Sequence, residues 1–224
     1  MTKPTNIKSY GAWVTALGFI VPILFFTSLA VATRDQASQV SSLDVQILKT
    51  IHTISSPTLD RAMVHVTNFG GVEVIIGATL VAALILYLLH KRKAVAILLI
   101  GVGGTAIINT ALKLSFHRMR PSLWTPIITE KSFSFPSGHA MMSSALALST
   151  VLLLWPTRWR WAAITIGALY VVAIGFSRLY LGVHYPTDIL AGWTVSFIWI
   201  LTVYAVITGH QHRTAASKTA QSKS

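Results

Sequence analysis

Lys113, Arg120, His139, Arg178, His184 and Asp188 fall in three short polar segments of an otherwise apolar chain. The segments are Lys113 to Pro121, Pro136-Ser137-Gly138-His139, and Ser177-Arg178 through His184 to Asp188. In the first, arginine offers a planar fork of donors suited to phosphate oxygens and lysine a point charge. Taken alone, Lys113 and Arg120 are equally suited to snorkelling into lipid headgroups. In the second, Ser137 is a good N-cap and Pro136 a natural residue before a helix, so the tetrapeptide also reads as a purely structural turn. A capped helix start with Gly138 nevertheless leaves backbone N–H groups and a favourable dipole open to an anion. In the third, His184 and Asp188 are four apart at the start of a helix, within reach for the carboxylate to accept the imidazole N–H. Such a pair alone is often no more than a satisfied polar contact.

These residues have to be positioned by helices in a bilayer. Of the 224 residues 53% are hydrophobic and only 11% charged, and the mean hydropathy is +0.64, outside the usual range of a soluble domain. Six apolar stretches stand out: Gly11 to Ala32, Val72 to Leu89, Ala94 to Leu112, Ala140 to Trp155, Trp161 to Phe176 and Ile189 to Ile207. Each is near the roughly 17 to 25 residues of a spanning helix. The fourth and fifth are short, and each gains a turn from its neighbouring motif, Ser137 to His139 or Ser177 to Arg178, which puts motif residues at helix ends. The expected fold is all-α and polytopic, with six transmembrane helices in one domain over residues 1–208. The first stretch, with Lys3 and Lys8 before it and Ala30-Val31-Ala32 at its end, has features of a signal peptide, but its length favours a retained helix. Residues 33–71 are polar, with Leu43, Ile47, Leu48 and Ile51 at helical spacing, and predict an amphipathic extramembrane helix rather than a seventh span. Residues 209–224 read as a basic, disordered cytoplasmic tail.

The formal net charge is +12, but the basic residues flank apolar runs, where positive-inside anchoring and anionic lipid account for them without nucleic acid. Alternating six helices puts Lys91, Arg92, Lys93, Arg158, Arg160 and the basic residues of both termini on one side, expected to be the cytoplasm. The opposite side holds Arg34, Lys49, Arg61 and Lys131 together with Lys113, Arg118, Arg120 and Arg178, so all three polar segments share the non-cytoplasmic face. Trp155, Trp159 and Trp161 bracket the turn at Pro156 as an interfacial belt. Gly101-Val102-Gly103-Gly104 lies mid-span, where small residues serve helix packing, and it lacks the lysine of a Walker loop. The absence of cysteine excludes thiolate nucleophiles, disulfides and Cys-ligated metal.

Together Lys113, Arg120 and Arg178 as three cations, an anion-binding helix start, the histidines His139 and His184 and the Asp188 carboxylate lie near a bilayer. Holding them there is costly without partners. Asp188 is the only acid inside the segments, with Glu130 between the first two, so the local acids look too few and an external phosphate would supply the missing charge. A transporter would instead carry its charges near the midplane, and a non-catalytic binding protein would need neither His184 nor Asp188.

In order and spacing the segments resemble the type 2 phosphatidic acid phosphatase superfamily, whose signature is Lys-x6-Arg-Pro, Pro-Ser-Gly-His and Ser-Arg-x5-His-x3-Asp. Here they stand as Lys113-x6-Arg120-Pro121, Pro136 to His139 and Ser177-Arg178-x5-His184-x3-Asp188, without a departure, across residues 113–188. The resemblance implies a metal- and cofactor-independent lipid phosphate phosphatase in a bacterial plasma membrane, its site facing the periplasm or exterior. It implies His184 as nucleophile giving a phosphohistidine, Asp188 as its orienting group and His139 as acid and then base. Lys113, Arg120, Arg178, the Ser137 hydroxyl and the Gly138 N–H would hold the non-bridging oxygens. Phosphatidylglycerol phosphate and undecaprenyl pyrophosphate are the leading substrates, with phosphatidic acid and diacylglycerol pyrophosphate behind them. Vanadium haloperoxidases share this site, but they are soluble, which argues against that activity here. His117 and Arg118, in the spacer of the first motif, read as solvated-loop residues with a supporting or headgroup role as the alternative. Glu73 reads as an interfacial acid or a partner for a motif cation, and Asn109, one turn before Lys113, as a residue that orients it.

Overall fold

A computed structural model describes residues 7–34 and 39–221 of the chain. Lys3 lies outside the described residues. All regular structure among them is helical: α1 (Ile7–Ala32), α2 (Gln39–His52), α3 (Pro57–Asn68), α4 (Val72–Leu88), α5 (Arg92–Phe116), α6 (Gly138–Leu154), α7 (Arg160–Tyr180) and α8 (Pro186–Gln221). Each of the six apolar stretches is a helix. α5, α7 and the Pro186–Gly209 part of α8 are long and apolar enough to cross a membrane, and α3 with α4 passes the same test as a pair bent by 42°. Leu17–Ala32 and Gly138–Leu154 are shorter apolar helices. Large apolar side chains face outward: Ile107, Ile166 and Leu169 are exposed on the flanks of α5 and α7, where water would penalise them.

α6 occupies the middle, packed against α4, α5, α7 and α8. Its first two turns, Ala140 to Ala145, are buried small or flexible residues, and such residues let helix backbones approach where no hydrophobic force drives them together. α5 and α8 are in close register. The indole of Trp199 donates to the Gly101 carbonyl at 3.0 Å, and a Cβ on Gly104 would come within 2.4 Å of the same ring. Ser196 of α8 donates to the Met141 carbonyl of α6 at 2.8 Å.

Two expectations need correction. The segment between the first two apolar stretches holds two helices, because Ser56, with its side chain accepting from Leu59 N, and Pro57 at the first helical position start a new one. Leu48 is fully buried and Ile51 packs on the Tyr180–Leu181–Val183 cluster, whereas Leu43 and Ile47 are exposed. At the other end, the backbone of α8 runs on as helix to Gln221, past Gly209 where the sequence predicts an irregular tail. α6 begins at Gly138 and α7 continues through Arg178 to Tyr180, so both gain the motif turn that their length required.

Candidate active site

The C-terminus of α5, the N-terminus of α6, the C-terminus of α7 and the N-terminus of α8 meet at one end of the bundle. All eight residues singled out in the sequence lie there. Lys113, Arg120, Gly138, His139 and His184 line one cavity of about 760 Å³ together with Glu130, and Ala106, Leu114 and Met142 form part of its apolar wall. Ser137, Arg178 and Asp188 are fully buried beside it, Arg178 against Glu130 and Asp188 against His184.

Lys113 ends the apolar part of α5. Its ammonium donates to the Phe133 carbonyl at 2.5 Å and the Ser132 hydroxyl at 2.9 Å. The chain then turns through His117, left-handed at φ 49°, and returns Arg120 to the cavity. Arg120 donates from Nε to the Ser132 carbonyl at 2.7 Å and from Nη1 to the Val183 carbonyl at 2.8 Å. The same Nη1 lies 3.0 Å from Nε2 of His184. A guanidinium only donates, so this contact requires a lone pair on Nε2.

The α6 start is built from both sides. Ser137 caps it, its hydroxyl accepting from Ala140 N at 3.4 Å, and its own N–H donates to the Asp188 carbonyl at 3.1 Å. The hydroxyl expected to hold a phosphate oxygen therefore faces its own helix. Asn109 donates to the Pro136 carbonyl at 3.1 Å rather than orienting Lys113, and a Cβ on Gly138 would lie 3.1 Å from its Oδ1. Asn109 thus supports the turn that presents His139.

His184 follows α7 in a short loop and is 1% exposed. Nδ1 lies 3.3 Å from Oδ2 of Asp188 and 3.4 Å from the Ser134 hydroxyl. Oδ2 also accepts from Ser134 Oγ at 2.5 Å and from Tyr185 N at 2.9 Å. With a carboxylate at Nδ1 and a guanidinium at Nε2, the proton belongs on Nδ1 and the lone pair on Nε2. Burial pulls the imidazole pKa from 6.5 down to about 3, against the opposing hydrogen bond to Asp188 and with the help of the Arg120 charge. The ring is neutral at physiological pH.

The local acids are not as scarce as the sequence implies. Glu130 pairs with Arg178 and lies 3.7 Å from Arg120. Burial raises the Glu130 pKa, but the two guanidiniums outweigh it and hold the carboxyl below its ordinary value. Arg178 also donates to Thr67 at 2.8 Å, while its Nε is buried with no partner among the described residues. Arg118 is equally far from a solvated loop residue: it joins Asp188, Thr187 and Asp44. Sequence reasoning missed Ser134 and Asp44 altogether. His117 is exposed and packs edge-on to Phe133, and Glu73 is exposed in the first turn of α4.

Comparison with known proteins bears on this arrangement. A family model described as the PAP2 superfamily matches residues 94–211. Phosphatidylglycerophosphatase B of Bacillus subtilis is 29% identical over 185 residues, 80% of this chain and 90% of the relative. An undecaprenyl-diphosphatase of Sulfolobus acidocaldarius is 29% identical over 209 residues, 91% of this chain and 95% of the relative. The crystal structure of a transmembrane PAP2-type phosphatidylglycerolphosphate phosphatase from Bacillus subtilis matches with a TM-score of 0.77 at 27% identity, covering 88% of this chain and 97% of that one.

Proposed function

Since the chain belongs to the PAP2 superfamily and is a membrane phosphatase of that family, we propose that it removes the terminal phosphate of a membrane lipid through a phosphohistidine on His184. The observation that carries this reading is the state of His184. It is a neutral ring with Nδ1 on Asp188 and the Nε2 lone pair at the wall of a cavity that also presents Lys113, Arg120 and His139.

In the first step Nε2 attacks phosphorus and the bond to the leaving oxygen breaks, with His139 donating a proton to that oxygen. In the second, His139 takes a proton from water, whose oxygen attacks phosphorus and breaks the P–N bond to release inorganic phosphate. Lys113, Arg120 and Arg178 stabilise the charge that shifts onto the non-bridging oxygens. Glu130 now pairs with Arg178 and lies 3.7 Å from Arg120; the substrate phosphate takes over that role, and the free Nε of Arg178 gives it a further donor. The Gly138 N–H at the head of α6 supplies a backbone donor. Ser137 acts chiefly by fixing that helix start.

In this reading six helices cross the membrane, the site lies among the outer-leaflet headgroups facing the periplasm or exterior, and the apolar cavity wall takes the lipid chain. Relatives of this chain are named for both phosphatidylglycerol phosphate and undecaprenyl diphosphate, the same two substrates favoured here. The test is phosphate release by the detergent-purified protein from these lipids, phosphatidic acid and diacylglycerol pyrophosphate, in excess EDTA, alongside His184→Ala. Turnover that survives the chelator and disappears in the variant, with a base-stable phosphoenzyme trapped by rapid quench, supports the reading. A variant as active as the wild type overturns it.

A further inference from the structure

Asp188 carries a problem that its motif does not solve. It is 0% exposed, and a neutral histidine beside it supplies no net charge, so an ionised carboxylate there needs a cation. The cation is Arg118, a residue between the two basic positions of the first motif. Its Nη1 lies 2.6 Å from Oδ1 of Asp188, the oxygen that His184, Ser134 and Tyr185 leave free. Its guanidinium carbon lies over the Tyr185 ring, 4.2 Å from the centroid.

Arg118 is itself held from the other side. Its Nη2 donates to Oδ2 of Asp44 at 2.8 Å, 74 residues away in α2. Asp44 is 2% exposed and also accepts from Thr187 N at 3.0 Å and Thr187 Oγ1 at 2.6 Å, which fixes it to the first turn of α8. Thr187 Oγ1 in turn accepts from Arg118 Nη1 at 2.7 Å. The guanidinium is thus a planar bridge between two buried carboxylates, the use for which arginine is better suited than lysine.

Resting on the assignment of His184 as nucleophile, we propose that Arg118 is a positioning residue for catalysis, with Asp44 of α2 as its anchor. Arg118 keeps Asp188 ionised and turned so that Oδ2 accepts from Nδ1. The protonation state matters because a carboxylic acid at this place would donate to Nδ1. The ring proton would then sit on Nε2, the nitrogen that must attack, and the nucleophile would be blocked. α2 therefore belongs to the catalytic apparatus although it contributes nothing to the cavity wall.

The experiment compares Arg118→Gln, Arg118→Lys, Asp44→Asn, the Arg118→Gln/Asp44→Asn double variant and His184→Ala in detergent, with phosphatidylglycerol phosphate and undecaprenyl pyrophosphate as substrates. Melting temperatures establish that each is folded. Arg118→Gln is expected to lower kcat about 10- to 100-fold, as loss of an orienting outer partner does at comparable sites, with KM nearly unchanged. The charged and titratable groups around His184 and Asp188 are Arg118, Arg120 and Glu130 from the segment before α6, His139 of α6, Arg178 of α7, Lys113 of α5 and Asp44 of α2. Removing one cation from this set makes the imidazole easier to protonate, so the acid limb of kcat/KM moves to higher pH. Arg118→Lys, which keeps the charge and loses the fork, falls between wild type and Arg118→Gln in kcat and leaves the acid limb in place. Asp44→Asn, which keeps an acceptor for Thr187 N, has a smaller effect than Arg118→Gln and none in the Arg118→Gln background.

An inactive His184→Ala with an Arg118→Gln that keeps full kcat, or loses only KM, overturns the proposal while leaving the nucleophile in place. Full additivity in the double variant overturns the anchoring by Asp44. An active His184→Ala overturns the nucleophile itself. Should Arg118→Gln fail to fold, Arg118→Lys and Asp44→Asn decide: a kcat loss with unchanged melting temperature supports the positioning role, and wild-type kcat in both refutes it.

Discussion

The two ends of the helix bundle use the same residue types in opposite ways. At one end Arg178, Arg118 and Arg120 are 1%, 11% and 15% exposed and each meets a carboxylate. At the other, Lys91, Arg92 and Lys93 are exposed, and Arg158 and Arg160 lie over the rings of Trp159 and Trp161 at 5.1 and 5.4 Å. The second end has the composition of an interfacial anchor, with its cations exposed and Arg158 and Arg160 paired with tryptophan rings. The first takes cations out of water and balances them with acids drawn from distant parts of the chain. Arg178 and Arg120 share Glu130, and Arg118 bridges two buried carboxylates. A cation that is hydrated serves only orientation in the bilayer.

The contrast is most sharply broken by Arg178→Ala, which removes a buried cation from the site. kcat/KM is expected to fall about 10²- to 10³-fold, the usual loss of one charge-stabilising donor, measured by phosphate release. Glu130→Gln has a smaller effect of opposite sense on ligand binding. Without the competing carboxylate, inorganic phosphate should inhibit about tenfold more tightly, on the order of 1.4 kcal/mol, read from its Ki. A weaker Ki would mean that Glu130 chiefly holds the arginines in place.

The pH dependence of stability sharpens the comparison further. His184 is held at about 3 against 6.5, so between those values the unfolded chain binds the proton that the folded one refuses. Stability therefore rises with pH across that window and the His184 contribution is complete above 6.5. Melting temperatures in detergent from about pH 4 to about pH 6, inside that window, should rise for the wild type and less steeply for His184→Asn. Smallest of all is Arg158→Ala, where the exposed end should show a change within about 0.5 kcal/mol and unaltered kcat/KM.

Much of this was readable in the chain. Hydropathy located all six apolar helices, and the three motifs picked out residues that the fold gathers at one end of the bundle, at or just beyond helix ends that hydropathy also marks. The partners were not readable. Glu130, Ser134 and Asp44 are single polar residues in polar segments, with no period and no neighbour to mark them. Arg118 meets Asp44 across 74 residues and Asp188 across 70, a pairing that only the folded chain creates. Ser56-Pro57 did carry a helix-start signal, and it divides α2 from α3. Asn109 sits at the right spacing to reach Lys113, yet the Pro136 carbonyl is an unsatisfied acceptor nearby and takes its amide instead.

The contact between Gly104 and Trp199 sets the gauge of the whole apparatus. Lys113 stands nine residues beyond Gly104 on α5, a lever of about 14 Å, and Asp188 lies on the corresponding arm of α8. The two helices act as the arms of a caliper clamped at the glycine, deep in the apolar layer and far from any phosphate. A single methyl at that clamp would spread the jaws, so the tolerance to which this phosphatase is machined is set where no chemistry takes place.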